Sequence, residues 1–231
     1  MVSSNILARV FSLRVGEMQA TGFTIEVDRR QYLITARHLL PSPPSKGVVE
    51  IFRDSKWEKL DFRLVQVEPA TVDIAALALT EQLPSLLPVV LGFKNVALSQ
   101  AVFFVGFPFG LSIDGRVFNK GFPIPLVKHG IISSIDTRRG DPFLVDGVNN
   151  PGFSGGPVVC VEGAFTPEII GPKIIGVVSA YTATQEPVYQ GKTKTDLTVK
   201  ANTGLLVAFP IDYAIEAIKK NPIGFQVQPA H

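Results

Sequence analysis

The chain has 231 residues, of which 46% are hydrophobic and 18% are charged, and its formal net charge is +2. This composition is typical of a globular protein and excludes a disordered chain. Its apolar runs are shorter than the roughly 18 residues of a membrane span, and no lysine and arginine cluster is dense enough to indicate a nucleic-acid surface. We therefore expect neither a membrane nor a nucleic acid as partner, while the sequence leaves the oligomeric state unknown.

The single cysteine, Cys160, lies in an apolar, strand-like run and cannot form an intramolecular disulfide. We expect it to be a buried structural residue. The N-terminal segment has no basic head followed by a long apolar stretch, so it shows no secretory signal. Both observations fit a cytoplasmic location, although a secreted form without its leader would have the same sequence.

Short strand-like runs separated by turn residues fill the first part of the chain. His38 follows one of these runs, and Asp73 interrupts an apolar one. A carboxylate inside a buried strand costs several kcal/mol unless it is paired or hydrogen-bonded, so Asp73 either has a partner or lies at the exposed start of its strand. The predicted strands cover residues 6–13, 22–27, 31–35, 48–52, 60–67 and 72–79.

The same rhythm repeats after a proline-containing connection, and we place the boundary between two domains, 1–92 and 93–231, within it. A polar, threonine-rich stretch over 181–202 is expected to be a mobile surface excursion. An apolar stripe followed by Lys219 and Lys220 predicts a helix over about 211–220, with Pro210 at its start. The predicted strands of this second part cover residues 101–105, 126–135, 143–145, 157–161, 174–180 and 205–209.

The stretch 149–157 sets Ser154 among three glycines and two prolines, between two strand-like runs. These residues favour a tight turn and let another molecule approach the main chain. A nucleophilic serine needs such a turn, because its hydroxyl must be exposed and backbone N–H groups must face the oxygen that becomes negative during acyl transfer. Taken alone, the stretch is equally a glycine-rich hairpin with an incidental serine.

The chain has three histidines, which leaves few candidates for a general base. His231 is the terminal residue and is expected to be disordered, and His129 lies within an apolar strand, where a structural or surface role is expected. His38, Asp73 and Ser154 then follow one another in the chain as a base, its orienting carboxylate and a nucleophile. This hypothesis explains all three residues together and calls for no metal or cofactor.

Five segments resemble, in order, blocks of trypsin-like serine peptidases, and the closest likeness is to the protease domain of the HtrA-type group. The resemblance spans roughly residues 20–218 and implies an all-β chymotrypsin-like fold of two six-stranded antiparallel β-barrels, the second carrying Ser154, with a C-terminal α-helix. The five segments are Thr35-Ala36-Arg37-His38, Val72-Asp73-Ile74-Ala75, Gly106-Phe107-Pro108-Phe109-Gly110, Gly152-Phe153-Ser154-Gly155-Gly156-Pro157 and Gly204-Leu205-Leu206-Val207-Ala208-Phe209-Pro210.

The resemblance also implies roles for single residues. His38 would be the base, Asp73 its orienting partner and Ser154 the nucleophile, while the N–H groups of Gly152 and Ser154 would form the oxyanion hole. The run 175–181 resembles the strand that pairs with the substrate main chain. The substrate-binding residues would then be Val148, Ser179, Ala180 and Tyr181.

Some positions depart from the family pattern. Phe153 stands where digestive relatives have an aspartate that captures a freed N-terminus, so we expect no activation by N-terminal cleavage. Val148 offers no charge to a specificity pocket, which favours an apolar or small substrate side chain. The peptide-binding module that HtrA-type proteins append is expected to be absent, so regulation and trimeric assembly are not inherited from the resemblance.

Two other readings compete with the peptidase interpretation. The segment 152–156 also matches the Gly-x-Ser-x-Gly elbow of α/β-hydrolases, but that fold needs a helix after the serine and a later histidine, and here a strand-like run follows. The second alternative is a catalytically silent trypsin-like scaffold that binds or senses proteins, with Phe153 turning the Gly152 N–H away from the substrate. We predict a serine endopeptidase that acts on unfolded or exposed protein segments.

Overall fold

The strands in the described part of the chain form two sheets, each closed into a barrel of antiparallel strands, and a short strand adds to the second sheet in parallel. A computed structural model describes residues 1–40, 45–84, 87–115, 117–136, 138, 140–162 and 170–227. The earlier strands make one sheet and the later strands make the other, apart from one short strand near the C-terminus. This architecture is the predicted all-β, chymotrypsin-like fold.

The first barrel closes because β3 pairs with β6 as well as with β2. The two residues that join β4 to β5, Asp54 and Ser55, both have positive φ, which is the geometry of a tight hairpin turn. Apolar side chains such as Phe11, Leu33 and Phe62 fill the interior. The strands are β1 (Val10–Val15), β2 (Met18–Val27), β3 (Arg30–Thr35), β4 (Lys46–Arg53), β5 (Lys56–Val65) and β6 (Ala75–Leu79).

The second barrel closes through the pairing of β11 with β12. Its interior contains Phe104, Phe143, Phe153 and smaller apolar residues. A further buried cluster takes side chains from both barrels, including Phe23, Val105 and Val177, so the barrels pack directly on each other. The strands are β7 (Val90–Leu91), β8 (Ala101–Gly106), β9 (Leu126–Ile135), β10 (Phe143–Asp146), β11 (Pro157–Glu162), β12 (Ile170–Gln190) and β13 (Thr193–Pro210).

Three short elements complete the described chain: α1 (Ser4–Leu7), α2 (Asp212–Lys220) and β14 (Phe225–Gln226). The predicted strand over 6–13 is wrong at its start, because Ser3 caps α1 through its side chain and β1 begins only at Val10. The predicted C-terminal helix is confirmed, although Pro210 ends β13 and Ile211 is the N-cap residue. None of the helices in the described ranges is long and apolar enough to cross a membrane.

The stretch predicted as a mobile excursion, 181–202, is instead an ordered β-ribbon. Strands β12 and β13 continue to pair beyond the barrel as far as Gln190 and Thr193, with Gly191 at positive φ in the turn. The many threonines that suggested a loop are also good strand formers, which explains the error. The ribbon is largely exposed, and it carries Tyr189, Leu197 and Val199 on its surface.

Candidate active site

His38 and Asp73 are joined by two hydrogen bonds at the edge of the first barrel, where the paired strands β3 and β6 lie side by side. Strand β3 ends at Thr35, and a short 3-10 turn over Arg37–Leu39 brings His38 to the barrel edge. The backbone N–H of His38 donates to Asp73 Oδ1 at 2.8 Å, and its Nδ1 lies 2.7 Å from Asp73 Oδ2. Asp73 precedes β6 by two residues, so its carboxylate lies outside the strand, yet the side chain is only 18% exposed.

The charges of this pair stabilise each other. The hydrogen bond that His38 donates to Asp73 raises the pKa of His38 above its ordinary value, against the opposing effect of burial. Burial is the largest influence on Asp73 and favours its neutral form, but hydrogen bonds from His38 and Ser179 outweigh it and lower its pKa. The ionised carboxylate therefore accepts a hydrogen bond from the protonated Nδ1 of neutral His38, which leaves Nε2 free to accept a proton.

Ser179, on β12, is a second residue that donates to Asp73. Its Oγ lies 2.5 Å from Asp73 Oδ2, and the residue is buried. The same residue accepts a hydrogen bond at its carbonyl oxygen from Ser154 Oγ, at 3.0 Å. Among the described residues the Ser154 hydroxyl makes this hydrogen bond and makes none to His38. The three predicted catalytic residues are thus linked through Ser179.

Two consecutive type II turns build the loop that carries Ser154. In the first, Phe153 N–H donates to Asn150 O at 3.2 Å with Gly152 at φ +104°. In the second, Gly156 N–H donates to Phe153 O at 2.8 Å with Gly155 at φ +84°. Positive φ at the third residue defines this turn type and favours glycine. A Cβ at Gly155 would lie 2.1 Å from Thr21 O, so the loop is also tightly packed.

The peptide between Pro151 and Gly152 has a fixed orientation. Phe109 N–H donates to Pro151 O at 2.8 Å. Because the two polar groups of a trans peptide point in opposite directions, the Gly152 N–H is directed away from Phe109. The N–H groups of Gly152 and Ser154 donate to no acceptor among the described residues.

Phe153 lies fully inside the second barrel and does not occupy the site. Its ring packs edge-on against Phe104 at 5.1 Å between centroids, in the barrel interior. The aromatic side chain thus anchors the loop through an apolar contact, where the sequence suggested that it could rotate the Gly152 peptide.

Thr21, which the sequence did not single out, holds the same loop from the first barrel. Its Oγ1 donates to Gly152 O at 2.6 Å and accepts from Phe107 N–H at 3.0 Å. Its own N–H donates to Ser154 O at 3.0 Å. The residue is fully buried. The two threonines within the otherwise apolar run over 20–25, Thr21 and Thr24, were the available signal.

The remaining predicted site residues lie around Ser154. Ala180 and Tyr181 follow Ser179 on β12, and Ala180 is exposed. The Ala180 carbonyl accepts from Asn149 Nδ2 at 3.0 Å, and Asn149 is a second residue that the sequence analysis missed. Val148 is 51% exposed, and its carbonyl accepts from Lys128.

The other candidates from the sequence lie away from this arrangement. His129 is exposed and stacks near Phe103, with 5.3 Å between ring centroids. Cys160 is buried, as predicted, and burial raises the pKa of its thiol. His231 lies outside the described residues. Across those ranges no group of three or more histidine, cysteine or acidic side chains is placed to hold a metal ion.

Comparison with known proteins adds a family and a fold. Residues 20–166 match the family model described as trypsin-like peptidase domain. No curated protein matches the chain.

Among solved structures, the chain is similar to Rv3671c from M. tuberculosis H37Rv in an inactive form, with 16% identity, a TM-score of 0.55, and coverage of 98% of this chain and 91% of that one. It is also similar to the HtrA-type protease AlgW with a tripeptide, at 20% identity and a TM-score of 0.57. That alignment covers 95% of this chain and 62% of AlgW. At such identities the likeness shows a shared fold.

Proposed function

The chain belongs to the family of trypsin-like peptidase domains, and we propose that it is a serine endopeptidase that cleaves protein substrates through an acyl-enzyme on Ser154. The observation that carries the proposal is the His38–Asp73 pair, joined by two hydrogen bonds, together with Ser154, whose own N–H and that of Gly152 have no acceptor among the described residues. Family membership supports hydrolysis of peptide bonds, and the roles of the single residues are our inference.

The proposed reaction begins when Ser154 Oγ attacks the scissile carbonyl. His38 Nε2 takes the hydroxyl proton, and Asp73 holds the ring with Nδ1 protonated and stabilises the imidazolium. The carbonyl oxygen becomes negative and receives hydrogen bonds from the Gly152 and Ser154 N–H groups, each typically worth roughly 3 kcal/mol in the transition state. The C–N bond then breaks, the amine leaves with the proton, and water releases the acyl group by the same steps.

The substrate class follows from the edge of β12 beside the site. Residues Ser179, Ala180 and Tyr181 lie beyond the pairing with β11, which ends at Val177. An extended peptide segment can add to such an edge through its main chain. We therefore propose unfolded or exposed segments as substrates, with Val148 favouring an apolar or small side chain next to the cleaved bond.

A fluorophosphonate probe tests the proposal, because it forms a covalent bond with an activated serine hydroxyl. We expect the wild-type protein to be labelled, Ser154→Ala not to be labelled, and His38→Ala to be labelled far more slowly. Ser134→Ala, an exposed serine on β9, is the matched control and should label normally. Folding of each variant is checked by its thermal midpoint.

The alternative function, a silent scaffold that binds proteins, is favoured by one observation. The Ser154 hydroxyl donates to Ser179 O and not to His38. If folded wild-type protein resists the probe and still binds unfolded polypeptide, the scaffold replaces the peptidase as the better proposal.

A further inference from the structure

Lys128 reaches from β9 to the segment that leads into the Ser154 loop. Its Nζ donates to the carbonyl oxygen of Val148 and to Asn150 Oδ1, the latter at 3.0 Å. The same ammonium lies 5.9 Å from the ring centroids of Phe104 and Phe153, within the range of a cation–π contact. Burial lowers the pKa of this ammonium, which indicates that it is held against the protein and is not free in solvent.

The two oxygens that Lys128 binds flank one short stretch of chain. Asn150 is the first residue of the turn that contains Gly152, and its carbonyl accepts the hydrogen bond that closes that turn. Between the two contacts, the Asn149 carbonyl accepts from Asn202 Nδ2 at 2.6 Å. Side chains from two different strands therefore hold three successive residues before the turn begins.

The entry adds to the contact of Phe109 N–H with Pro151 O, which holds the central peptide of the turn directly. A type II turn and a type I turn differ by a flip of the central peptide, and here the central peptide carries the Gly152 N–H. Glycine at the third position tolerates both forms. The exit of the turn is fixed by Thr21, which binds the Gly152 carbonyl. The entry is fixed by Lys128 through Asn150, so the two contacts together favour one orientation of the Gly152 N–H.

We propose that Lys128 is a positioning residue that holds the 148–150 segment so that the Gly152 N–H faces the substrate oxygen. This inference rests on the proposed function, because it assigns the lysine to the same oxyanion hole. Lys128 acts through the loop and not on the substrate, so its loss should weaken transition-state binding more than ground-state binding.

The experiment compares Lys128→Met, which keeps the apolar stem, with Lys128→Arg, which keeps a charged donor. With fluorescently labelled casein as an unfolded substrate, we expect K128M to lower kcat by ~10- to 100-fold, somewhat less than the loss of an oxyanion donor itself, while KM stays nearly constant. The rate of fluorophosphonate labelling should fall in parallel. K128R should retain more turnover than K128M.

Two controls separate positioning from structural damage. Lys173→Met removes a buried lysine that, like Lys128, donates to a carbonyl, here that of Lys94, away from the site. It should lower the thermal midpoint without lowering kcat. In the S154A background, K128M should leave the affinity for casein unchanged, because binding without chemistry does not use the oxyanion hole.

Several results would overturn the inference. A wild-type kcat in folded K128M would contradict the inference. An increase in KM with an unchanged kcat would also contradict it, as would an equal fall of kcat in K173M. If K128M does not fold at the assay temperature, Lys128→Gln replaces it, and its kcat is again expected to be lower than that of K128R. Wild-type protein that neither labels nor cleaves casein would remove the proposed function and this inference together, whereas an active wild type with an unaffected K128M would remove the inference alone.

Discussion

The hydroxyl of Ser154 donates to the carbonyl oxygen of Ser179 at 3.0 Å, while the hydroxyl of Ser179 donates to Asp73. One residue of β12 therefore contacts both ends of the proposed triad. If Ser154 rotates about χ1 to donate to His38, the Ser179 carbonyl becomes available to accept a substrate N–H. Side-chain rotations of this kind are fast and inexpensive, so substrate binding and the alignment of the nucleophile can occur together.

Replacing Ser179 by alanine should therefore reduce turnover modestly. The change removes one hydrogen bond that lowers the pKa of Asp73 and leaves the carbonyl that faces the substrate. A hydrogen bond to a charged group contributes about 1.5–3 kcal/mol, and His38 still holds the carboxylate, so we expect kcat to fall by roughly tenfold with little change in KM. Steady-state kinetics with S134A as control measure the effect, and an unchanged kcat would show that Ser179 does not support Asp73.

The pH profile should report the charge of His38. Catalysis needs the neutral base, so kcat/KM should fall as the pH drops through the His38 pKa, which Asp73 raises above its ordinary value. Asp73→Asn removes the hydrogen bond and the charge that raise this pKa and leaves the burial that lowers it. The acid limb of the profile should then move to lower pH, while turnover falls by orders of magnitude through the wrong tautomer. An acid limb at the same pH in both proteins would contradict the pairing.

Two buried threonines of β2 form a matched pair. Thr21→Val removes a hydroxyl that serves both Gly152 O and Phe107 N–H, and leaving such groups unpaired costs about 1–3 kcal/mol. Thr24→Val removes a hydroxyl that has no hydrogen-bond partner among the described residues, so it should be neutral or stabilising. Urea titrations give the stabilities, and kcat should fall in T21V only. Equal kcat in the two variants would show that the Thr21 contact does not shape the loop.

Alanine substitutions at two glycines distinguish the cost of backbone strain from the cost of a steric clash. Gly191, in the ribbon turn, has φ +65°, and a Cβ there would meet nothing within 4 Å. G191A should cost about 1–2 kcal/mol from backbone strain alone and leave activity intact. G155A adds a collision with Thr21 O to the same strain. We expect it to abolish labelling by the fluorophosphonate and to lower stability further than G191A, and a labelled G155A would contradict the packing of the loop.

The thiol of Cys160 should be unreactive in the native protein. It is buried, and burial raises its pKa, so little of the nucleophilic thiolate is present at neutral pH. A thiol reagent such as Ellman's should modify it only in denaturant, and the midpoint should follow global unfolding. Rapid modification of folded protein would place the thiol at the surface.

The sequence allowed the fold and the candidate residues to be predicted where local pattern and chemistry agree. His38, Asp73 and Ser154 each stood out because their residue type is unexpected in its local context. Lys128 and Asn149 did not stand out. Their importance comes from hydrogen bonds to backbone groups far along the chain, for which an ordinary strand or loop residue gives no signal.

The ribbon over 181–202 was predicted wrongly for a different reason. Its polar residues suggested a loop although its threonines are also good strand formers, and the pairing of β12 with β13 shows that they are strands. Cross-strand pairs, more than intrinsic preference, determine such a structure, and the sequence of one strand does not display them.

Strand β14 forms a second connection between the two barrels. After α2, Phe225 and Gln226 pair with β3 of the first barrel, and Arg30 Nη1 donates to Gly224 O at 2.9 Å. The barrels are thus joined both by the connecting chain and by this returning strand. Each of these two connections keeps one barrel at a high effective concentration near the other. Moving His38 away from Ser154 by separating the barrels would therefore break the β14–β3 pairing as well as the apolar contact between the barrels.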